Sequence, residues 1–160
     1  MSFPWRVHTV VFDLDDTLFA ERDYVLGGFR AAGRWLEAEH GVRGLFEEAV
    51  TLFEQGIRGT IFDDVLPRIG CTANAGMVAA LVRAYRAHRP VLTLCPDAAE
   101  SLNWAEGRFR LALVTDGYAD VQGRKIESLG LEKRIGCRIL TDVLGRNFWK
   151  PSPEDRKSVV

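Results

Sequence analysis

Hydrophobic and polar positions follow two rhythms along this chain. "HTVVFDL", residues 8–14, is a short and nearly continuous apolar run, as expected of a buried strand. From Val25 the spacing turns helical. Val25, Phe29, Ala32 and Leu36 recur at steps of four, three and four, and Gly41 stands where a helix cap is expected. Leu45, Ala49 and Leu52 define a second helix closed by Gly56, and a shorter one is predicted from Ile61 to Leu66. Asn74 is a suitable N-cap for "AGMVAALVRAYRAH", where Val78, Leu81, Val82 and Tyr85 form the stripe and Arg89-Pro90 ends it. Residues 21–90 therefore read as a helical block. Beyond it, "DAAESLNWAEG" is helical and "RFRLALVTDG" returns to strand character. "YADVQGRKIESLG" carries Val121, Lys125 and Leu129 along a further helix that Gly130 stops. "CRILTD" is a last short strand, and "LGRNFWKPSPE" is loop-like.

The order strand, helical insertion, helix, strand, helix, strand implies right-handed crossovers and a parallel sheet, hence an α/β fold. Ligands of such sheets bind beyond the carboxyl ends of the strands, where Asp13 and Thr115 both stand. Composition adds little to this picture. At 160 residues, 47% of them hydrophobic, one domain with an insertion is expected. A net charge of −1 gives no reason to expect nucleic acid or an anionic membrane as partner. There is no secretory signal pattern and no run of about 18 apolar residues, so a cytoplasmic location is expected. Cys71, Cys95 and Cys137 lack metal or disulfide spacing and read as small core residues. His8, His40 and His88 have no partner spacing for a metal.

The candidate chemistry begins where the first strand runs into Asp13, Asp15 and Asp16. In an extended segment residues i and i+2 point the same way, so Asp13 and Asp15 can face one site. Two close carboxylates repel unless one is protonated or a cation lies between them. Acid/base chemistry and metal-assisted phosphoryl transfer both fit, because Mg²⁺ takes oxygen ligands and commonly accompanies phosphates. Taken alone, the pattern is better explained by turn capping, a reading that its position after the first strand of an α/β pattern weakens. Thr115, Asp116 and Gly117 offer a hydroxyl and turn N–H groups suited to phosphate oxygens, although Asp-Gly is also a common turn dipeptide. Lys150 adds a point charge able to meet a phosphate. Three such signals at successive strand ends weigh more than any one of them.

On these residues the sequence resembles the haloacid dehalogenase-like (HAD) hydrolase superfamily. "DLDDTLF" resembles its first motif, DxDx[TV][LV]; "LALVTDG" its second, a strand ending in Thr or Ser; and "WKPSPE" its third, a lysine followed by Pro. The resemblance implies a Rossmann-like parallel sheet with helices on both faces, formed by residues 1–20 and 91–160. It also implies a helical C1 cap, residues 21–90, inserted after the first strand. It makes Asp13 the nucleophile of an aspartyl-phosphate mechanism and Asp15 the acid/base. Thr115, Asp116 and Gly117 would hold the phosphoryl group, with Lys150 neutralising charge. Mg²⁺ would be bound by Asp13 and the backbone carbonyl of Asp15. The implied substrate is a small phosphorylated metabolite. The Asp at position 15 speaks against dehalogenation, whose family members generally lack it.

The family's fourth motif, an acidic pair after another strand, is not found: Asp142 comes too early, and "PSPEDRKSVV" follows Lys150. A core incomplete at its C-terminus is therefore expected, with the edge of the first strand exposed. A fragment, a frameshifted product, or completion by a dimer or swapped partner would each account for it; a shortened chain is the expectation, with Mg²⁺ binding and activity impaired. A phosphoglucomutase-like transferase and an inactive phospho-ligand-binding remnant are the alternative functions. In the helical block Phe29, Leu36 and Phe53 are expected to be bundle core, and Arg22 and Arg58 solvated surface.

Overall fold

The structure, a computed structural model, describes residues 8–145. Among these, six α-helices and three strands follow in the order β1 (Thr9–Phe12), α1 (Glu21–His40), α2 (Leu45–Glu54), α3 (Ile61–Arg68), α4 (Ala75–Ala87), α5 (Pro96–Ala105), β2 (Arg110–Thr115), α6 (Ala119–Ser128) and β3 (Cys137–Leu140). Two 3₁₀ segments, Leu131–Lys133 and Thr141–Leu144, flank β3. The strands form one parallel sheet in the order β1-β2-β3, the α/β architecture expected. Phe12 lies opposite Leu113, and Thr115 opposite Leu140, so the carboxyl ends of all three strands reach one edge. Among the described residues β1 has no strand on its outer side, and Val11 is more than half exposed there.

The chain divides into two compact units. One takes the described residues up to Glu21 and from Val91 onward. In it Leu14, Leu18, Phe19, Leu102, Leu113, Leu131 and Ile135 are almost wholly buried. The other, Arg22–Pro90, is a helical bundle whose core unites Phe29, Leu36, Leu45, Leu52, Leu66 and Leu81 from its four helices. Phe29 meets the rings of Phe53 and Phe62 edge-on, each at 6.1 Å between centroids, a geometry favoured by the ring quadrupoles. Phe53 itself is half-buried at the rim of that core.

The punctuation residues act as the sequence suggests. Asn74 caps α4 by accepting from the Met77 N–H at 3.0 Å, and Gly130 ends α6 with φ 65°. Arg22 pairs with Glu54 at 2.7 Å. Arg58 lies over the Phe53 ring at 3.7 Å and donates to the carbonyls of Phe53, in the last turn of α2, and of Ile57 just beyond it. Both arginines are exposed, as expected, yet each has a structural partner within the bundle. His88 takes a local role, its Nδ1 lying 2.6 Å from the Tyr85 carbonyl oxygen.

Two expectations need correction. Cys137 is exposed because β3 presents its Cys137, Arg138 and Ile139 to solvent; Cys71 and Cys95 are half-buried, so none of the three is a fully buried core residue. The strand expected through "CRILTD" stops at Leu140. Thr141 and Asp142 leave the ladder because their side chains bond elsewhere, as described below. "LGRNFWKPSPE", beyond Gly145, falls outside the described residues.

Two glycines in helices predict opposite effects of an added methyl group. A Cβ on Gly28 of α1 would lie 2.4 Å from the Tyr85 ring, which Phe29, Phe62 and His88 hold in place. A Cβ on Gly123 of α6 meets nothing within 4 Å. Gly28→Ala should lower stability by about 1–3 kcal/mol through overpacking. Gly123→Ala should raise it by up to about 1 kcal/mol through helix propensity. Urea denaturation of both variants checks the signs.

Candidate active site

The site is built from the turn that follows β1. Leu14 turns its side chain into the core and is fully buried, while Asp13 and Asp15 on either side of it are half-buried. The alternation of an extended segment thus persists one residue past the strand. The chain then folds back, with the Thr17 and Leu18 N–H groups both donating to the Leu14 carbonyl. Asp16 takes φ 52°, a left-handed conformation that Asp tolerates better than most residues, and its Oδ1 accepts from the Glu21 N–H at 2.8 Å. Asp16 therefore serves the turn and the start of α1. Thr17 Oγ1 lies 3.4 Å from Asp13 Oδ2.

From β2 comes Thr115, only 1% exposed at the last strand position. Gly117 follows with φ 108°, and a Cβ there would press on the Gln122 side chain at 3.4 Å; both facts favour glycine. Helix α6 then presents Gln122 and Lys125, one turn apart and both buried. Lys125 Nζ donates to Asp15 Oδ1 at 2.6 Å. Gln122 Nε2 donates to Asp15 Oδ2 at 2.8 Å and to Thr115 Oγ1 at 2.6 Å. From the segment after β3, Thr141 Oγ1 donates to Asp116 Oδ1 at 2.6 Å and lies 3.3 Å from the Thr115 carbonyl oxygen. Asp142 Oδ2 accepts from the Ala119 N–H at 3.0 Å, anchoring the first turn of α6.

Among the described residues the buried polar side chains are Thr115, Gln122, Lys125 and Thr141, and all four belong to this cluster. Burying polar groups is costly unless each is paired, so their convergence at one sheet edge marks a built site. An open depression of about 550 Å³, lined by His8, Thr9, Arg108 and Arg110, lies at the opposite end of the strands and brings no comparable cluster together. The structure joins Asp15 to Thr115 through Gln122, places Asp13 two residues before Asp15, and turns the carboxylate of Asp116 toward Thr141. Lys150 lies outside the described residues. Gln122, Lys125, Thr141 and Asp142 are additions to the residues expected from sequence.

The oxygen donors suit a hard cation such as Mg²⁺, which is commonly held by one or two carboxylates together with waters and phosphate. Asp13 offers a carboxylate. Asp15 turns its carboxylate toward Lys125 and Gln122, and its main-chain carbonyl is the donor that fits. Among the described residues no group of three or more His, Cys, Asp or Glu side chains forms a metal cage.

A family model for haloacid dehalogenase-like hydrolases matches residues 7–160. No curated protein matches the chain. Among solved structures, YfnB from Bacillus subtilis, bound to magnesium, is similar at 21% identity and a TM-score of 0.64, over 97% of this chain and 72% of that one. A protein from Thermotoga maritima assigned as a β-phosphoglucomutase is similar at 21% identity and 0.66, over 96% of this chain and 72% of that one. The L-2-haloacid dehalogenase of Xanthobacter autotrophicus is similar at 22% identity and 0.56, over 96% of this chain and 64% of that one. These likenesses concern the fold.

Thr141→Val removes a hydroxyl whose partners, Asp116 and the Thr115 carbonyl, belong to the site. It should cost about 1–3 kcal/mol, the range for leaving buried polar groups unpaired. Chemical denaturation gives the number, and a loss below about 0.5 kcal/mol would show that these contacts contribute little.

Proposed function

Because the chain belongs to the haloacid dehalogenase-like hydrolase family, we propose that it is a phosphohydrolase in which Asp13 is the nucleophile and Asp15 the acid/base. The substrate class is a small phosphorylated metabolite. The observation that carries this reading is the anchoring of Asp15 to Thr115 through Gln122 at the carboxyl end of the sheet. It holds the Asp15 carboxylate beside the Thr115 hydroxyl, which supports reading the first as the proton-transfer group and the second as a phosphate holder.

In the first step an Asp13 carboxylate oxygen attacks phosphorus and the bond from phosphorus to the substrate oxygen breaks. Asp15 gives its proton to the departing alcohol, leaving an acyl phosphate on Asp13. In the second step Asp15 takes a proton from water as that water attacks the same phosphorus. Inorganic phosphate leaves and Asp13 returns to a carboxylate. Thr115, with the backbone N–H groups of Asp116 and Gly117, holds the phosphoryl oxygens while these bonds change. Lys150 supplies further positive charge in this reading. Asp13 and the carbonyl of Asp15 would hold Mg²⁺, which when bound neutralises charge between carboxylate and phosphate.

The acid/base role of Asp15 separates this chemistry from dehalogenation, in which halide departs without a proton. No nucleic-acid or membrane partner enters the reading, and no helix among the described residues is long and apolar enough to cross a membrane. A phosphate acceptor other than water would make the same residues a phosphotransferase of the mutase kind.

The test is Mg²⁺-dependent release of inorganic phosphate from an aryl phosphate. Release by the wild type, with a fall of at least about 1,000-fold in Asp13→Asn, is the expected result. Undiminished release by that variant would exclude Asp13 as nucleophile.

A further inference from the structure

We propose that Gln122 and Lys125 are positioning residues for Asp15, fixing the plane of its carboxylate so that one oxygen stays aimed at the leaving group. This rests on the reading of Asp15 as leaving-group acid. The outer torsion of an Asp side chain is broad and nearly two-fold, so a carboxylate beyond the end of a strand rotates freely unless it is held. Here each oxygen has its own donor: Oδ1 takes Lys125 Nζ at 2.6 Å, and Oδ2 takes Gln122 Nε2 at 2.8 Å. Each carboxylate oxygen has two acceptor positions, so both retain capacity toward the substrate side.

The amide of Gln122 does more than hold Asp15. The same nitrogen donates to Thr115 Oγ1 at 2.6 Å, so one group sets the separation of the acid/base from the phosphate-holding hydroxyl. As an acceptor from Gln122, the Thr115 oxygen keeps its own proton for another partner. Among the described residues that proton meets the Asp116 carbonyl at a long 3.4 Å, a contact weak enough for a phosphoryl oxygen to displace. The two donors share one face of α6 because they stand three residues apart. That helix is fixed at both ends, by Asp142 at the Ala119 N–H and by Ser128 Oγ, which accepts from the Leu92 N–H at 2.9 Å. Both donors are almost wholly buried. The arrangement is a rigid clamp.

The test compares two substrates in Lys125→Met and Gln122→Met, which keep volume and remove the donors. An aryl phosphate leaves readily without a proton, whereas a simple alkyl phosphate needs the acid. The constant kcat/KM reports the steps up to formation of the acyl phosphate. In Lys125→Met it should fall about 100-fold or more for the alkyl substrate, the range for a lost general acid, and less than about tenfold for the aryl one. Gln122→Met, which also loses the contact to Thr115, should show the same difference between substrates on top of a loss common to both. Equal losses on both substrates, or no loss on either, would overturn the clamp. A wild-type protein that releases phosphate from neither substrate sinks the phosphatase reading and this inference together. A second measurement is independent of turnover: the drop in urea midpoint caused by Lys125→Met should largely vanish when Asp15 is already Asn. Equal drops in both backgrounds would overturn the pairing whatever the activity.

Discussion

A lysine on the inward face of a helix needs a partner, and that requirement organises this site. The Lys125 side chain is 4% exposed. An ammonium group so placed is strongly destabilising unless an acceptor is held at the right point. The acceptor is Asp15, 110 positions earlier in the sequence, and the contact closes at 2.6 Å. The turn after β1 and the helix after β2 must therefore dock in one register. Gln122 extends the same contact to Thr115, and Thr141 with Asp142 ties in the segment after β3. Each strand end thus contributes a polar group that another strand end holds.

The backbone makes this possible before any side chain is considered. Parallel pairing brings Phe12, Thr115 and Leu140 to one edge, and each strand there gives way to a turn or helix whose polar groups need partners. Leu14 anchors the first turn in the core, so its two flanking aspartates stay at the site rather than in solvent. Gly117 lets Gln122 pack beneath the second turn, where a side chain at position 117 would obstruct it. The site is part of the fold's polar core, and the energy that holds the unit together also aims the groups.

Much of this was legible in the sequence. The strand ending in Asp13, the strand ending in Thr115 and the helix stops at Gly41 and Gly130 follow from periodicity and local backbone preference, which act over a few residues. The four residues missed act over long range. Lys125 did leave a trace: it falls between Val121 and Leu129 on the apolar stripe of α6, where a charged residue demands a buried partner. Gln122, three residues before it, shares that face. Which acceptor they would meet depends on packing across 110 positions, and no local rule supplies that. Thr141 and Asp142 were read as strand because their residue types permit it; their bonds to Asp116 and Ala119, which decide the matter, belong to tertiary structure. Cys137 was misread because burial was inferred from residue type, whereas β3 lies at an edge of the described sheet.

The account stands on Asp13 forming a covalent bond to phosphorus, and the intermediate itself can be trapped. The protein, mixed with Mg²⁺ and an aryl phosphate, would be treated with borohydride during turnover and the site peptide sequenced by mass spectrometry. Borohydride reduces an acyl phosphate to an alcohol, so homoserine in place of aspartate at position 13 is the predicted result. Phosphate release with position 13 still aspartate, or homoserine at position 15 instead, would contradict it.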